Sequence, residues 1–206
     1  MCCFAECVFV GGGHQLDYKS LNKCEVYSFE SRKWTEVSSM NTRRCQFTLT
    51  YFQGKVWAVG GFDVTNNVET WYDSIETFNL ATNKWTTSDL KLITERCGHS
   101  TVAHRDQLFV IGGENYPDYV SSVEVYSSVT NEITCVAPMN IARFRFGCCL
   151  VNSKVYAIGG RKDWNKTNTY YTFADEVEVY DIEKNEWRKG PSLPFKLSDF
   201  ACSESL

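Results

Sequence analysis

A short apolar strand running into paired glycines occurs four times in this chain. The copies are VFVGGG (8–13), VWAVGG (56–61), LFVIGG (108–113) and VYAIGG (155–160). Measured on the last glycine of each, Gly13, Gly61, Gly113 and Gly160, the spacings are 48, 52 and 47 residues. Self-similarity at that period means stacked supersecondary units, and it constrains the fold more than any single motif does.

Three further features keep register with the glycines. An alternating segment follows a variable loop: Glu25-Val26-Tyr27, Glu76-Thr77-Phe78, Glu124-Val125-Tyr126 and Glu178-Val179-Tyr180. Seven residues beyond each ring stands Trp34, Trp85, Ile133 or Trp187. An arginine lies seventeen residues before the last glycine in three units: Arg44, Arg96 and Arg143. Leu197 takes that place where a fifth unit would start. Each unit thus predicts four short strands joined by polar turns, an antiparallel meander. One such sheet cannot bury both faces, but radial stacking of copies does so. Gly12, Gly13, Gly60, Gly61, Gly112, Gly113, Gly159 and Gly160 then allow close backbone approach. Trp34, Trp85 and Trp187 fill the wedge between sheets, and Arg44, Arg96 and Arg143 bond to strand backbone. The Glu before each Val-Tyr or Thr-Phe reads as a solvated framework face.

These residues together resemble the Kelch motif over essentially the whole chain. The stretches Met40–Arg44 and Pro138–Arg143 are most similar to Kelch-like proteins that join BTB and BACK regions to a Kelch propeller. The resemblance implies an all-β Kelch-type β-propeller of about four blades, an open or truncated arc of a six-bladed parent. The units fall at about 1–43 (lacking its first strand), 44–95, 96–142 and 143–196, with 197–206 opening a fifth. It also implies a protein-binding scaffold, the substrate-recognition module of a cullin-type ubiquitin ligase adaptor. The cullin would be reached only through a BTB region that these residues do not contain. Actin binding, known in some relatives, is the alternative.

In such receptors the partner lies on one face. That face is lined by the residue after each glycine pair, the residues after each Arg, and the loop between strands two and three. Carried onto this chain, these positions are His14, Gln46, Phe62, Trp71, Tyr72, Glu114, Tyr116, Arg145, Arg161 and Trp164. Exposed aromatics beside arginine are common hot-spot chemistry, and Arg145 with Arg161 suits an acidic peptide.

Other functions find less support. A net charge of −4 without a broad basic cluster argues against nucleic acid. No apolar run is long enough for a membrane helix. Ten cysteines without an export signal suit a reducing, cytoplasmic compartment. Cys2, Cys3 and Cys7 read as small buried residues of a strand and not, with His14, as a metal cluster, and no cofactor is expected. A Kelch copper oxidase resembling galactose oxidase needs two His and two Tyr on one metal. Here only His14, His99 and His104 exist, and His99 and His104 sit at a spacing that points them to opposite strand faces. Asp175, Glu176 and Glu178 cluster, but Glu178 is a repeat position, which weakens a hydrolase reading. The chain is expected not to be an enzyme.

Overall fold

A computed structural model describes the chain except residues 5, 16–18, 66–67, 166–169, 201 and 203–206, and the side chains of 163–165 and 170. The described residues are all-β. They form two compact units, Met1–Cys97 and Gly98–Leu206, each holding two four-stranded antiparallel sheets. The first unit contains β1 (Cys2–Phe4), β2 (Cys7–Gly11), β3 (Cys24–Ser28) and β4 (Lys33–Val37) as one sheet. Its second sheet contains β5 (Thr48–Phe52), β6 (Lys55–Val59), β9 (Ser74–Asn79) and β10 (Lys84–Lys91). A separate ribbon, β7 (Phe62–Thr65) with β8 (Val68–Trp71), stands between β6 and β9 in the chain. The second unit repeats the plan. One sheet is β11 (Ser100–His104), β12 (Gln107–Ile111), β15 (Val123–Ser127) and β16 (Glu132–Val136), with the ribbon β13 (Glu114–Asn115) and β14 (Asp118–Tyr119). The other is β17 (Gly147–Val151), β18 (Lys154–Ile158), β21 (Val177–Asp181) and β22 (Glu186–Lys189), with the ribbon β19 (Arg161–Asn165) and β20 (Tyr170–Phe173).

Three expectations need correcting here. The first unit does have an opening strand, because Cys2–Phe4 pairs with β2 through backbone groups that do not need the missing Arg. The described residues of 197–206 form no strand. The segments between strands two and three contain paired ribbons, whose ladders the polar Asn, Asp and Thr of the sequence do not advertise.

Meandering pairing follows from the turns. Arg32, Asn83, Asn131 and Asn185 each stand two residues before the Trp position and take positive φ of 51–57°. Asn adopts that conformation more readily than most residues, which suits a tight hairpin. Burial rises inward: β6 and β12 are almost wholly buried, whereas β4, β16 and β22 are mostly exposed. One core per unit results. Phe9, Leu49, Val56, Phe78 and Trp85 belong to the first, and Phe109, Ile111, Val125, Val155 and Tyr180 to the second.

The framework arginines hold their own sheets. Arg44 is fully buried and donates to the Gly60 carbonyl (2.7 Å), the Ser74 carbonyl (3.1 Å) and Glu76 Oε1 (2.7 Å). Arg143 repeats this with Gly159 (2.8 Å), Glu176 (2.9 Å) and Glu178 Oε2 (2.9 Å). Arg96 is buried likewise, and its carbonyl accepts the Gly61 N–H. Burial pulls the Arg143 pKa down, and the Glu178 charge opposes that.

The Glu positions are therefore not a solvated face. Glu76, Glu124 and Glu178 are buried, and only Glu25 is exposed. Glu76 also accepts the Asn41 and Thr42 N–H groups, as Glu178 accepts those of Asn140 and Ile141. Each carboxylate thus ties the incoming segment to an internal arginine.

Seams between sheets close through the indoles. Trp85 Nε1 donates to the Ser38 carbonyl and Trp187 Nε1 to the Ala137 carbonyl, each at 2.9 Å. The ring of Trp85 also lies 6.0 Å from that of Phe9 in the preceding sheet. Trp34, expected to fill a wedge, is instead 51% exposed.

The glycine pairs sit where backbones crowd. A Cβ on Gly61 would lie 2.6 Å from Phe47 Cβ and 2.8 Å from the Cys45 carbonyl, at a φ of +92°. Gly13 differs, having open space around it and needing glycine only for its φ of +90°. Gly61→Ala is expected to lose about 1–3 kcal/mol by overpacking and strain, and Gly13→Ala about 1–2 kcal/mol for φ alone. Paired urea titrations check the difference.

Candidate partner-binding face

The repeat backbone brings the candidate positions together within each unit. In the second unit Phe144 and Arg161 exchange both backbone hydrogen bonds, at 3.0 and 2.9 Å. Cys45 and Phe62 do the same in the first unit, at 2.8 and 3.0 Å. The residue two beyond each framework position then turns left-handed: Gln46 (φ 50), Gly98 (58), Arg145 (52) and Asp199 (59). In the second unit these residues are linked in series, Arg145 N–H to the Gly98 carbonyl and Asp199 N–H to the Arg145 carbonyl.

Arg145 and Arg161 converge on one carboxylate. Arg145 Nη1 lies 3.2 Å from Asp199 Oδ1, and Arg161 Nη2 lies 2.7 Å from Oδ2. Ser198 Oγ donates to the same Oδ2 at 2.6 Å. Partial burial pushes the Asp199 pKa up, but the hydrogen bonds from Ser198 and Arg161 and the two positive charges bring it below the usual carboxylate value. Aromatic rings surround the guanidinium of Arg161: Tyr171 at 4.8 Å, Phe173 at 5.8 Å and Phe144 at 5.9 Å. Tyr119 stacks on Phe144 at 5.3 Å. Burial, with the Glu114 charge second, pushes the Tyr171 phenol up. Glu114 is buried and Tyr116 exposed. Trp164 is placed on β19, with its side chain outside the described residues.

The first unit offers different chemistry. Phe62 and Trp71 stack at 5.3 Å. Tyr72 is drawn inward, with Arg44 5.3 Å from its ring centre. His14 is exposed and bridges Ser20 through backbone. Gln46 Oε1 accepts from the Cys97 thiol at 3.6 Å. The candidates therefore form a polar–aromatic set in one unit and a doubly basic, aromatic-walled set in the other. Sequence reasoning missed Asp199 and Ser198, although counting two residues on from Leu197 reaches Asp199.

Among the described residues no three His, Cys, Asp or Glu side chains are grouped to hold a metal. His99 is buried just before β11, and His104 is the last residue of that strand. All ten cysteines are free. Burial pushes Cys2 up to about 12 and Cys24 up to about 11, which keeps both as neutral thiols at neutral pH. No helix among the described residues is long and apolar enough to cross a membrane, which leaves β-barrels unaddressed.

Comparison with known proteins adds to this geometry. The profile of the KLHDC2/KLHL20/DRC7 Kelch-repeats domain matches residues 1–160, and that of the Kelch motif matches residues 142–194. Kelch-like protein 26 of Danio rerio is 25% identical over 95% of this chain and 40% of its own length. Alpha-scruin of Limulus polyphemus is 24% identical over 92% of this chain and 22% of its own length. Kelch-like protein 36 of Rattus norvegicus is 27% identical over 91% and 38%. The chain thus spans two-fifths or less of these relatives. The solved structure titled "Structure of YjhT" aligns with a TM-score of 0.76 at 14% identity, covering 92% of this chain and 63% of that one. At that identity the likeness concerns the fold.

Proposed function

Because this chain belongs to the Kelch-repeat family, we propose that it is a non-catalytic protein-binding module whose second unit reads a carboxylate-bearing segment of its partner. The observation that carries this reading is the convergence of Arg145 and Arg161 on one carboxylate within a wall of Phe144, Tyr171 and Phe173. Charge-assisted hydrogen bonds from two guanidiniums are strong, and the flanking rings add apolar contact area beside them. Asp199 is itself the kind of group the site holds, so a partner's acid would replace it. The physiological role we assign is substrate choice for a cullin-type ubiquitin ligase, reached through a BTB region outside these residues, in the cytoplasm. The family resemblance supports that role, as does a match to a protein named "Kelch repeat and BTB domain-containing protein 8" from Rattus norvegicus (23% identical).

Calorimetric titration with a glutamate-rich peptide tests the site. Arg145→Ala with Arg161→Ala is expected to weaken binding at least tenfold, since a lost hydrogen bond to a charged group is worth about 1.5–3 kcal/mol. Asp199→Ala is expected to tighten it by removing the carboxylate that competes for both guanidiniums. Unchanged affinity in the double variant, with folding intact, refutes the site. The actin reading predicts instead that the chain sediments with filaments, and that loss of Trp71 or Tyr116 abolishes this while the arginine variants do not.

A further inference from the structure

The basic set of the second unit has a buried acid of its own. Glu114 opens β13 and is 8% exposed. Backbone contacts fix it beside the site. The N–H of Gly113, one residue earlier, donates to the Arg143 carbonyl at 2.9 Å. Phe144, the residue after that arginine, exchanges both backbone bonds with Arg161. Tyr119, the ladder partner of Glu114, stacks on the Phe144 ring. Glu114 and Arg161 thus flank one aromatic residue. Tyr171 reports the resulting field, since its ring lies 4.8 Å from the Arg161 guanidinium. Burial is the first cause that pushes its phenol up. The Glu114 charge is the second, ahead of the opposing charges of Arg145 and Arg161.

That placement decides how much negative charge the site accepts. Arg145 and Arg161 supply two positive charges, and Asp199 and Glu114 supply two negative ones. Lys162 adds nothing, because Glu176 holds it at 2.8 Å. When a partner's acid takes the place of Asp199, a single carboxylate restores the balance. A phosphorylated side chain carries about −1.5 to −2 at neutral pH. The excess would lie near the buried Glu114 carboxylate, where like charges repel more strongly than in water.

We propose that Glu114 is a specificity-determining residue, one that restricts the acid-reading site to single carboxylates, glutamate or aspartate side chains, and turns phosphorylated residues away. The inference rests on the acid-binding reading of Arg145 and Arg161. A partner that carries phosphoserine in the bound segment is then held more weakly, not more tightly.

Calorimetric titration of the whole chain at neutral pH with two probes tests it. One is the glutamate-rich peptide, and the other is the same peptide with phosphoserine at each glutamate. The glutamate peptide is expected to bind about tenfold more tightly. Glu114→Gln removes the charge and keeps the shape. It is expected to cut that preference to about twofold or less, by raising the affinity for the phosphoserine peptide more than that for the glutamate peptide. Glu114→Asp keeps the charge and is expected to keep the preference. Damage to packing alone would weaken both peptides alike and leave their ratio unmoved. Equal or tighter binding of the phosphoserine peptide by the native chain overturns the proposal without any variant. So does a preference that Glu114→Gln leaves in place. Failure of the acid-binding reading looks different: the glutamate peptide then does not bind, or binds as well to the chain lacking both Arg145 and Arg161, and the proposal falls with it.

Discussion

Glu76→Ala is expected to lower stability by about 3–5 kcal/mol, the scale for removing one partner of a buried ion pair. Its carboxylate is fully buried against Arg44 and also receives the Asn41 and Thr42 N–H groups. Its loss leaves an uncompensated buried guanidinium charge and removes the acceptor of two part-buried backbone donors in one place. Desolvation makes such a pair a weak net stabiliser, yet a severe liability when half is removed. The comparison within the repeat makes the test sharp. Glu25 occupies the same register but is exposed, so Glu25→Ala is expected to change stability by no more than about 0.5 kcal/mol. Urea denaturation of both variants, followed by tryptophan fluorescence, gives the two numbers side by side. Equal effects would mean that the carboxylate contributes nothing beyond its strand position.

Trp85→Ala is expected to cost about 3–5 kcal/mol, the range for deleting a large buried aromatic side chain. The indole is 8% exposed, packs against Phe9 and Phe78, and carries the hydrogen bond that closes the seam to Ser38. Trp85→Phe separates the contributions. It keeps most of the ring contact and leaves the Ser38 carbonyl unpaired, so about 1–3 kcal/mol should remain lost. Thermal melts of the two variants measure the split. At the same register Trp34→Ala should cost far less, because that ring is half in solvent.

The framework was legible because its spacing is rigid. Gly61, Gly113 and Gly160 recur at a fixed distance from Arg44, Arg96 and Arg143, and a seven-residue step leads from each ring to Trp34, Trp85 or Trp187. Strand count and pairing order follow from those intervals. The environment of Glu76 and Glu178 was not legible. A glutamate in an alternating strand reads as solvent-facing, and only the fold shows that an arginine from the start of the same sheet reaches it. Strand β1 escaped notice because its ladder needs only backbone groups, while the Arg that marks its counterparts is missing. At the candidate face, the pairing of Phe144 with Arg161 spans seventeen residues and arises from the sheet closing on its own ribbon. Asp199 stayed hidden because Leu197 stands in the framework position. The carboxylate therefore lay in a fifth unit with no arginine to mark the positions after it, although its backbone obeys the same rule as Gln46 and Arg145.

The left-handed links at Gln46, Gly98, Arg145 and Asp199 separate scaffold from vocabulary. Their φ values are set by the repeat and, in the second unit, by main-chain bonds from one to the next. Three different side chains and one bare glycine already share that geometry. Evolution can therefore rewrite what each unit displays, one letter per repeat, without touching the backbone that displays it. The alphabet excludes β-branched residues, which the conformation penalises most. A laboratory wishing to retarget the module would start by editing these four letters.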